Sequence, residues 1–109
     1  MNGPRSALRV VDDPAAGRFE VLVDDEVAGC AEYRLEGEAL AFTHTVVEPR
    51  FEGQGIGSAL ARGALDAARE RGVAVLPYCP FLRTWVESHP EYVDLVPAGR
   101  RSRFSLPTG

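Results

Sequence analysis

The stretch VEPRFEGQGIGSAL, residues 47–60, is the part of the chain that best indicates its fold. It lies between a strand-like run rich in Thr and Val and a segment with helical periodicity, so its glycines form a strand-to-helix turn. The N-terminus of a helix carries unpaired N–H groups and the positive end of the helix dipole, and glycines let an anion approach that backbone. Gly53, Gly55 and Gly57 therefore predict an anion-binding turn; the alternative is a tight turn without a ligand.

Two well-known phosphate motifs do not fit this turn. A P-loop needs Gly-Lys-Ser/Thr after its glycines, whereas Gly57 is followed by Ser58 with no lysine. A dinucleotide fingerprint needs Gly or Ala at the position of Ser58 and repeating βαβ units, for which the chain is too short.

Upstream of the turn, hydrophobic alternation and turn residues predict four successive antiparallel strands. Polar clusters and glycine or proline separate the runs. The predicted strands are Leu8–Val11, Arg18–Asp24, Val27–Leu35 and Glu38–Val47.

Downstream, Ile56, Leu60, Ala64 and Ala67 share one helical face, and Gly72 is expected to end that helix. The β-branched run 73–76 is then predicted to return to the sheet parallel to the strand before the helix, through a right-handed crossover.

A short final helix is predicted from Pro80 to Ser88, with Phe81, Trp85 and Val86 facing inward. Residues 97–109, with arginine, serine, glycine and proline, indicate a loose tail. With 109 residues the chain can bury one core but not two, so we expect one domain with its core at residues 7–96. The predicted fold class is α/β: a mostly antiparallel sheet of about five strands with one long helix and a short C-terminal helix.

Charge and composition exclude several classes of function. A net charge of −4 offers no basic field for nucleic acid. No signal-like segment or long apolar run is present, which argues for a cytoplasmic protein without a membrane partner. Cys30 and Cys79 are expected to be reduced thiols, and with His44 and His89 they match no metal-ligand spacing, so no metal is predicted.

The glycine turn, read as Glu52-Gly53-Gln54-Gly55-Ile56-Gly57, resembles the Arg/Gln-x-x-Gly-x-Gly/Ala signature of the GNAT acetyltransferases. The segments FTHT (42–45), CPF (79–81) and HPEY (89–92) resemble a short single-domain GNAT-like subfamily of N-acetyltransferases. The resemblance covers roughly residues 19–96.

This resemblance implies acetyl-CoA as cosubstrate. The strand before the turn would pair with the pantetheine arm, and the turn would hold the pyrophosphate. Carried over, the cofactor-binding residues are Val46, Val47, Gly53, Gln54, Gly55, Ile56, Gly57 and Ser58. Glu52 departs from the family pattern, and its carboxylate would repel phosphate unless it points into solvent.

Cys79 is the first candidate for catalysis, because it follows a strand and directly precedes the helix opened by Pro80, where a thiolate is stabilised. The Cys-Pro-Phe segment of the resembling subfamily implies the same role. The alternative is a buried cysteine that acts as a small hydrophobe.

His44 is the second candidate, as general base, since it lies just ahead of the residues expected to bind pantetheine. Its alternation with Leu40, Phe42 and Val46 puts it on an apolar strand face, where a hydrogen-bonded core histidine is the alternative. Tyr92 would protonate the leaving thiolate if the role of a tyrosine in larger GNAT enzymes is carried over.

The sequence thus predicts an acetyl-CoA-dependent N-acetyltransferase acting on a small-molecule or protein amine. A non-catalytic acyl-CoA-binding module is the rival interpretation. Either a monomer or a homodimer is compatible, the latter if a second subunit completes a shallow site.

Overall fold

The computed structural model of the chain describes residues 8–104 and 106. Residues 1–7, 105 and 107–109 lie outside this description, and with them residue 7 of the predicted core and part of the predicted tail. The regular elements are β1 (Leu8–Asp13), β2 (Arg18–Val23), β3 (Glu26–Glu36), β4 (Ala39–Val47), α1 (Ile56–Arg71), β5 (Val75–Pro77) and α2 (Pro80–Ser88). Short 3-10 turns cover Pro49–Phe51, Pro90–Leu95, Ala98–Arg100 and Ser102–Phe104.

The sheet confirms the predicted α/β class. Its five strands run in the order β1-β2-β3-β4-β5; all neighbours are antiparallel except β4 and β5. Strand β5 begins two residues later than predicted and includes Pro77, which an edge strand tolerates because the missing N–H is not needed on its outer side.

Helix α1 covers one face of the sheet, with Leu60 and Leu65 fully buried. It begins after Gly55 and ends at Gly72, both in the left-handed region. A Cβ atom on Gly63 would lie 2.6 Å from Cβ of Val10. Close approach of α1 to β1 therefore explains a glycine that costs about 1 kcal/mol of helix propensity.

A bulge in β4 changes which side chains share a face. Tyr33 pairs with Phe42 but Glu32 pairs with His44, so Thr43 is an extra residue in β4. Because directly opposed residues share a face, Phe42 and His44 point to opposite faces. The prediction that His44 lies on the apolar face of Phe42 is therefore wrong: Phe42 is buried against Phe19 and Tyr33, and His44 is exposed.

Helix α2 has the predicted bounds but buries a different stripe. Leu82, Trp85 and Val86 face the core at i, i+3 and i+4 spacing. Phe81, predicted to face inward, is 41% exposed because it lies at the margin of that stripe, over the first turn of α1. No helix of residues 8–104 is long and apolar enough to cross a membrane.

The segment after Pro97 is not loose over its described residues. Phe104 is 1% exposed and meets the Tyr78 ring edge-on at 5.3 Å. Arg100 donates hydrogen bonds to Tyr78 (2.9 Å) and to Glu36 (3.3 Å). Glu36 and Tyr33 are three residues apart in β3, so their side chains point to opposite faces of the sheet. Tyr33 lies on the face that α1 covers, so the segment after Pro97 covers the other face. Because the segment is mostly polar, its sequence did not indicate that Phe104 is buried.

Candidate functional site

Strands β4 and β5 separate after three residue pairs. The parallel pairing runs from Leu40 with Val75 to Phe42 with Pro77, and the N–H of Cys79 then donates to the carbonyl of Phe42. Beyond that bond the chain turns into α2. On the side of β4 that faces β5, the residues from Thr43 to Val47 have no strand partner within the described residues. The sheet therefore opens beside the two residues predicted to bind pantetheine, Val46 and Val47.

The glycine turn closes this opening at the far end of β4. Buried Phe51 anchors the preceding 3-10 turn, and Gly53 (φ 83°) and Gly55 (φ 75°) then take left-handed conformations that other residues rarely adopt. The first backbone hydrogen bond of α1 runs from the N–H of Ala59 to the carbonyl of Gly55. The N–H groups that precede Ala59 in the first turn have no helical partner by geometry, and no acidic residue stands in that turn.

Helix α2 packs directly on the first turn of α1. Trp85 Nε1 donates to Ser58 Oγ at 3.0 Å. A Cβ atom on Gly57 would lie 2.9 Å from the Phe81 ring, so this glycine makes room for a side chain. That steric role was not evident from the sequence, since the glycine spacing indicated only backbone access.

The residues predicted to bind the cofactor lie in two groups, one at the open edge and one in the turn. Ile56 is buried, which leaves only its backbone for a ligand, and Gln54 is exposed and donates to the Arg50 carbonyl at 3.5 Å. Glu52 is exposed to solvent, and its N–H donates to the carbonyl of Pro49.

Cys79 lies at the N-cap of α2, with its side chain in the opening of the sheet. It is 3% exposed, and its Sγ atom lies 3.2 Å from Thr45 Oγ1. The sulfur of Cys79 thus lies at a helix N-terminus and beside a hydroxyl group. Thr45 was missed because simple alternation along β4 assigns it to the face opposite Phe42; only the bulge at Thr43 turns it toward Cys79.

His44 and Cys79 are not brought together. His44 neighbours Thr45 in β4, so the two side chains point to opposite faces, and Cys79 is on the side of Thr45. His44 lies opposite Glu32 on the face away from α1.

Tyr92 is committed to a different set of partners. Its hydroxyl donates to Asp66 at 2.7 Å and accepts from Arg62 at 3.2 Å. Burial, followed by the hydrogen bond to Asp66, raises the pKa of Tyr92. His89 stacks on Trp85 with ring centroids 3.8 Å apart, and its Nδ1 atom lies 2.8 Å from the Trp85 carbonyl.

Cys30 lies in the middle of β3, is buried and forms no disulfide bond; its sulfur accepts a hydrogen bond from Arg18 at 3.9 Å. Burial raises the pKa of the Cys30 thiol, which keeps it protonated. Across residues 8–104, no three His, Cys, Asp or Glu side chains group as metal ligands.

Comparison with known proteins gives one family match. The model of a family described as GCN5-related N-acetyl-transferase matches residues 18–95. No curated protein sequence matches the chain. A GCN5-like protein from Staphylococcus aureus has a similar structure, with a TM-score of 0.63 and 22% identity over 82% of this chain and 87% of that one. At that identity the likeness concerns the fold.

A second similar structure is the ribosomal-protein-S18-alanine N-acetyltransferase from Escherichia coli. It is 25% identical over 53% of this chain, with a TM-score of 0.49. The match spans only 38% of that enzyme's length.

Proposed function

The chain belongs to the GCN5-related N-acetyltransferase family, and from that membership we propose that it transfers the acetyl group of acetyl-CoA to the amine of a small molecule or a protein. The observation that carries the proposal is the junction of two features at Cys79. The open edge of β4 leads from this residue to a helix N-terminus preceded by two left-handed glycines.

Acetyl-CoA fits this arrangement in two ways. A pantetheine arm carries amide groups that can pair with the backbone of Val46 and Val47, as a neighbouring strand would. The pyrophosphate suits the N–H groups between Gly53 and Ser58, and the exposed position of Glu52 lets its carboxylate turn into solvent.

Cys79 supplies the nucleophile in the proposed reaction. Its thiolate attacks the acetyl carbonyl, a new carbon–sulfur bond forms, and the bond to the CoA sulfur breaks as that thiolate leaves and takes up a proton. A neutral amine then attacks the Cys79 thioester, loses a proton and releases the Cys79 thiolate. Burial of Cys79 would protect the thioester from water.

His44 stays the candidate for the base that removes the amine proton. Its position on the face opposite Cys79 sets a condition on this role: the amine must reach the Cys79 thioester at the open edge of β4, where the two faces of the strand meet. If His44 is the base, His44→Ala should slow amine acetylation without slowing acetylation of Cys79.

Binding is tested by isothermal titration with acetyl-CoA. We expect heat for the native protein and none for Gly55→Glu, which adds a bulky carboxylate at a left-handed position in the turn. Absence of heat for the native protein at millimolar ligand would overturn the proposed function.

A non-catalytic acyl-CoA-binding module is the second candidate, favoured by the burial of Cys79. Mass spectrometry after incubation with acetyl-CoA separates the two. The chain contains no lysine, so lysine autoacetylation cannot obscure an adduct on Cys79. An acetyl group on Cys79 that is absent in Cys79→Ala supports the enzyme; binding without an adduct or turnover on a broad amine panel supports the module.

A further inference from the structure

Arg62 is one of four arginines of the described residues, with Arg83, Arg101 and Arg103, that form no ion pair with a carboxylate. Seven arginines of the described ranges form ion pairs with carboxylates. Arg62 is exposed, and its hydrogen bond runs to the Tyr92 hydroxyl instead. Its guanidinium carbon lies 5.3 Å from the centroid of the Trp85 ring and 5.7 Å from that of Tyr92. Aromatic rings hold a cation without neutralising it.

Asp66, the nearest acidic residue on the same face of α1, already accepts a hydrogen bond from Tyr92. Asp66 follows Arg62 by one turn and would be its natural ion-pair partner. The hydroxyl of Tyr92 stands between them, donating to Asp66 at 2.7 Å and accepting from Arg62. The cluster therefore orients the guanidinium and leaves its remaining N–H donors for a ligand.

Arg62 also lies close to the glycine turn. Ser58 and Arg62 are one turn apart on the same face of α1, about 6 Å along its axis. Arg62 is the first charged residue after Glu52, so residues 53–61 offer a phosphate only backbone and uncharged side chains. Trp85 touches both positions, through its bond to Ser58 and its ring beneath Arg62.

We infer that Arg62 binds the ribose 3′-phosphate of CoA and so makes the protein distinguish CoA from dephospho-CoA. This inference rests on the proposed function, which puts the pyrophosphate at the N-terminus of α1. The 3′-phosphate is a separate dianion joined to the pyrophosphate through the ribose. The Arg62 guanidinium donates to Tyr92 only through Nη1, so it keeps enough N–H donors for two parallel hydrogen bonds to a phosphate group.

The test compares CoA with dephospho-CoA by isothermal titration at low ionic strength. We expect the native protein to bind CoA on the order of tenfold more tightly. Arg62→Met keeps much of the apolar stem over Trp85 and should reduce CoA affinity to that of dephospho-CoA, leaving the latter unchanged. Arg103→Gln is the matched control, because it removes the same charge from the far face of the sheet.

Tyr92→Phe tests the positioning by the phenol. Without the hydroxyl, Asp66 can pair directly with Arg62, so this variant should also lose discrimination while its ring still packs on Trp85. Thermal melting of each variant checks that the fold is retained.

Equal affinity of the native protein for both ligands would overturn the inference and leave the proposed function intact. So would an equal loss for both ligands in Arg62→Met, or the same loss in Arg103→Gln. If neither ligand binds the native protein, both proposals fail.

Discussion

The Oγ1 atom of Thr45 lies 3.2 Å from the Sγ atom of Cys79, across the opening between β4 and α2. No other side chain of the described residues forms a hydrogen bond with Cys79. The contact joins β4 to the N-terminus of α2 and depends on the bulge at Thr43. The side-chain contact of Cys79 is therefore linked to the register of the sheet.

Thr45→Val should make Cys79 less reactive at neutral pH. Valine keeps the shape but cannot donate to a thiolate, so alkylation by iodoacetamide should slow about tenfold, as for the loss of one hydrogen bond to a charged group. Thr45→Ser should retain most of the rate. All proteins would carry Cys30→Ala, so that only Cys79 reacts.

A Thr45→Val protein that is alkylated as fast as Thr45→Ser would contradict the prediction.

Gly55→Ala should lower the free energy of unfolding by about 1 kcal/mol, because alanine is strained in the left-handed conformation that opens α1. Urea denaturation measures the loss. Gly99→Ala is the control: a Cβ atom there meets nothing within 4 Å, and its φ is not in the left-handed region. Equal stability of the two variants would show that the turn is not held in this conformation.

Phe104→Ala should lower the free energy of unfolding by about 3 kcal/mol, the cost of removing a buried phenylalanine. Ser102→Ala, at an exposed position of the same 3-10 turn, should change it by less than about 0.5 kcal/mol. A Phe104→Ala protein as stable as the native one would contradict this prediction and would support the loose tail that the sequence indicates.

Tyr33 makes stability depend on alkaline pH. Burial and the hydrogen bond to Asp12 raise the pKa of Tyr33 from 10.0 to about 12 in the folded protein. The folded state holds this proton more tightly than the unfolded state, so its contribution is fully present below pH 10 and is lost as the pH rises toward 12.

Urea midpoints measured across that range should fall more steeply for the native protein than for Tyr33→Phe, which has no proton to lose. Parallel curves would show that ionisation of Tyr33 does not couple to unfolding.

The elements that could be predicted from sequence are those fixed by local patterns. Alternation in β2, the left-handed glycines at both ends of α1 and the proline that opens α2 each act over a few residues. These patterns predicted the order of strands and helices and the position of the glycine turn before α1. They also identified Cys79 as a residue at a helix N-terminus.

What was missed depends on partners distant in sequence. The extra residue Thr43 becomes evident only when β4 is aligned with β3, and it reverses the faces of His44 and Thr45. Phe104 is buried because Tyr78, far earlier in the chain, presents a ring to it. The exposure of Phe81 likewise depends on the close approach of α2 to Gly57.

The unpaired edge of β4 has a consequence for how the protein behaves alone. Peptide groups along an open strand edge can pair with any extended chain, and natural sheets usually block such edges to avoid self-association. Here the open portion is only five residues long, and the body of α2 stands beside it. A bound pantetheine arm would occupy those peptide groups, so the ligand would also serve as a guard against aggregation through this edge.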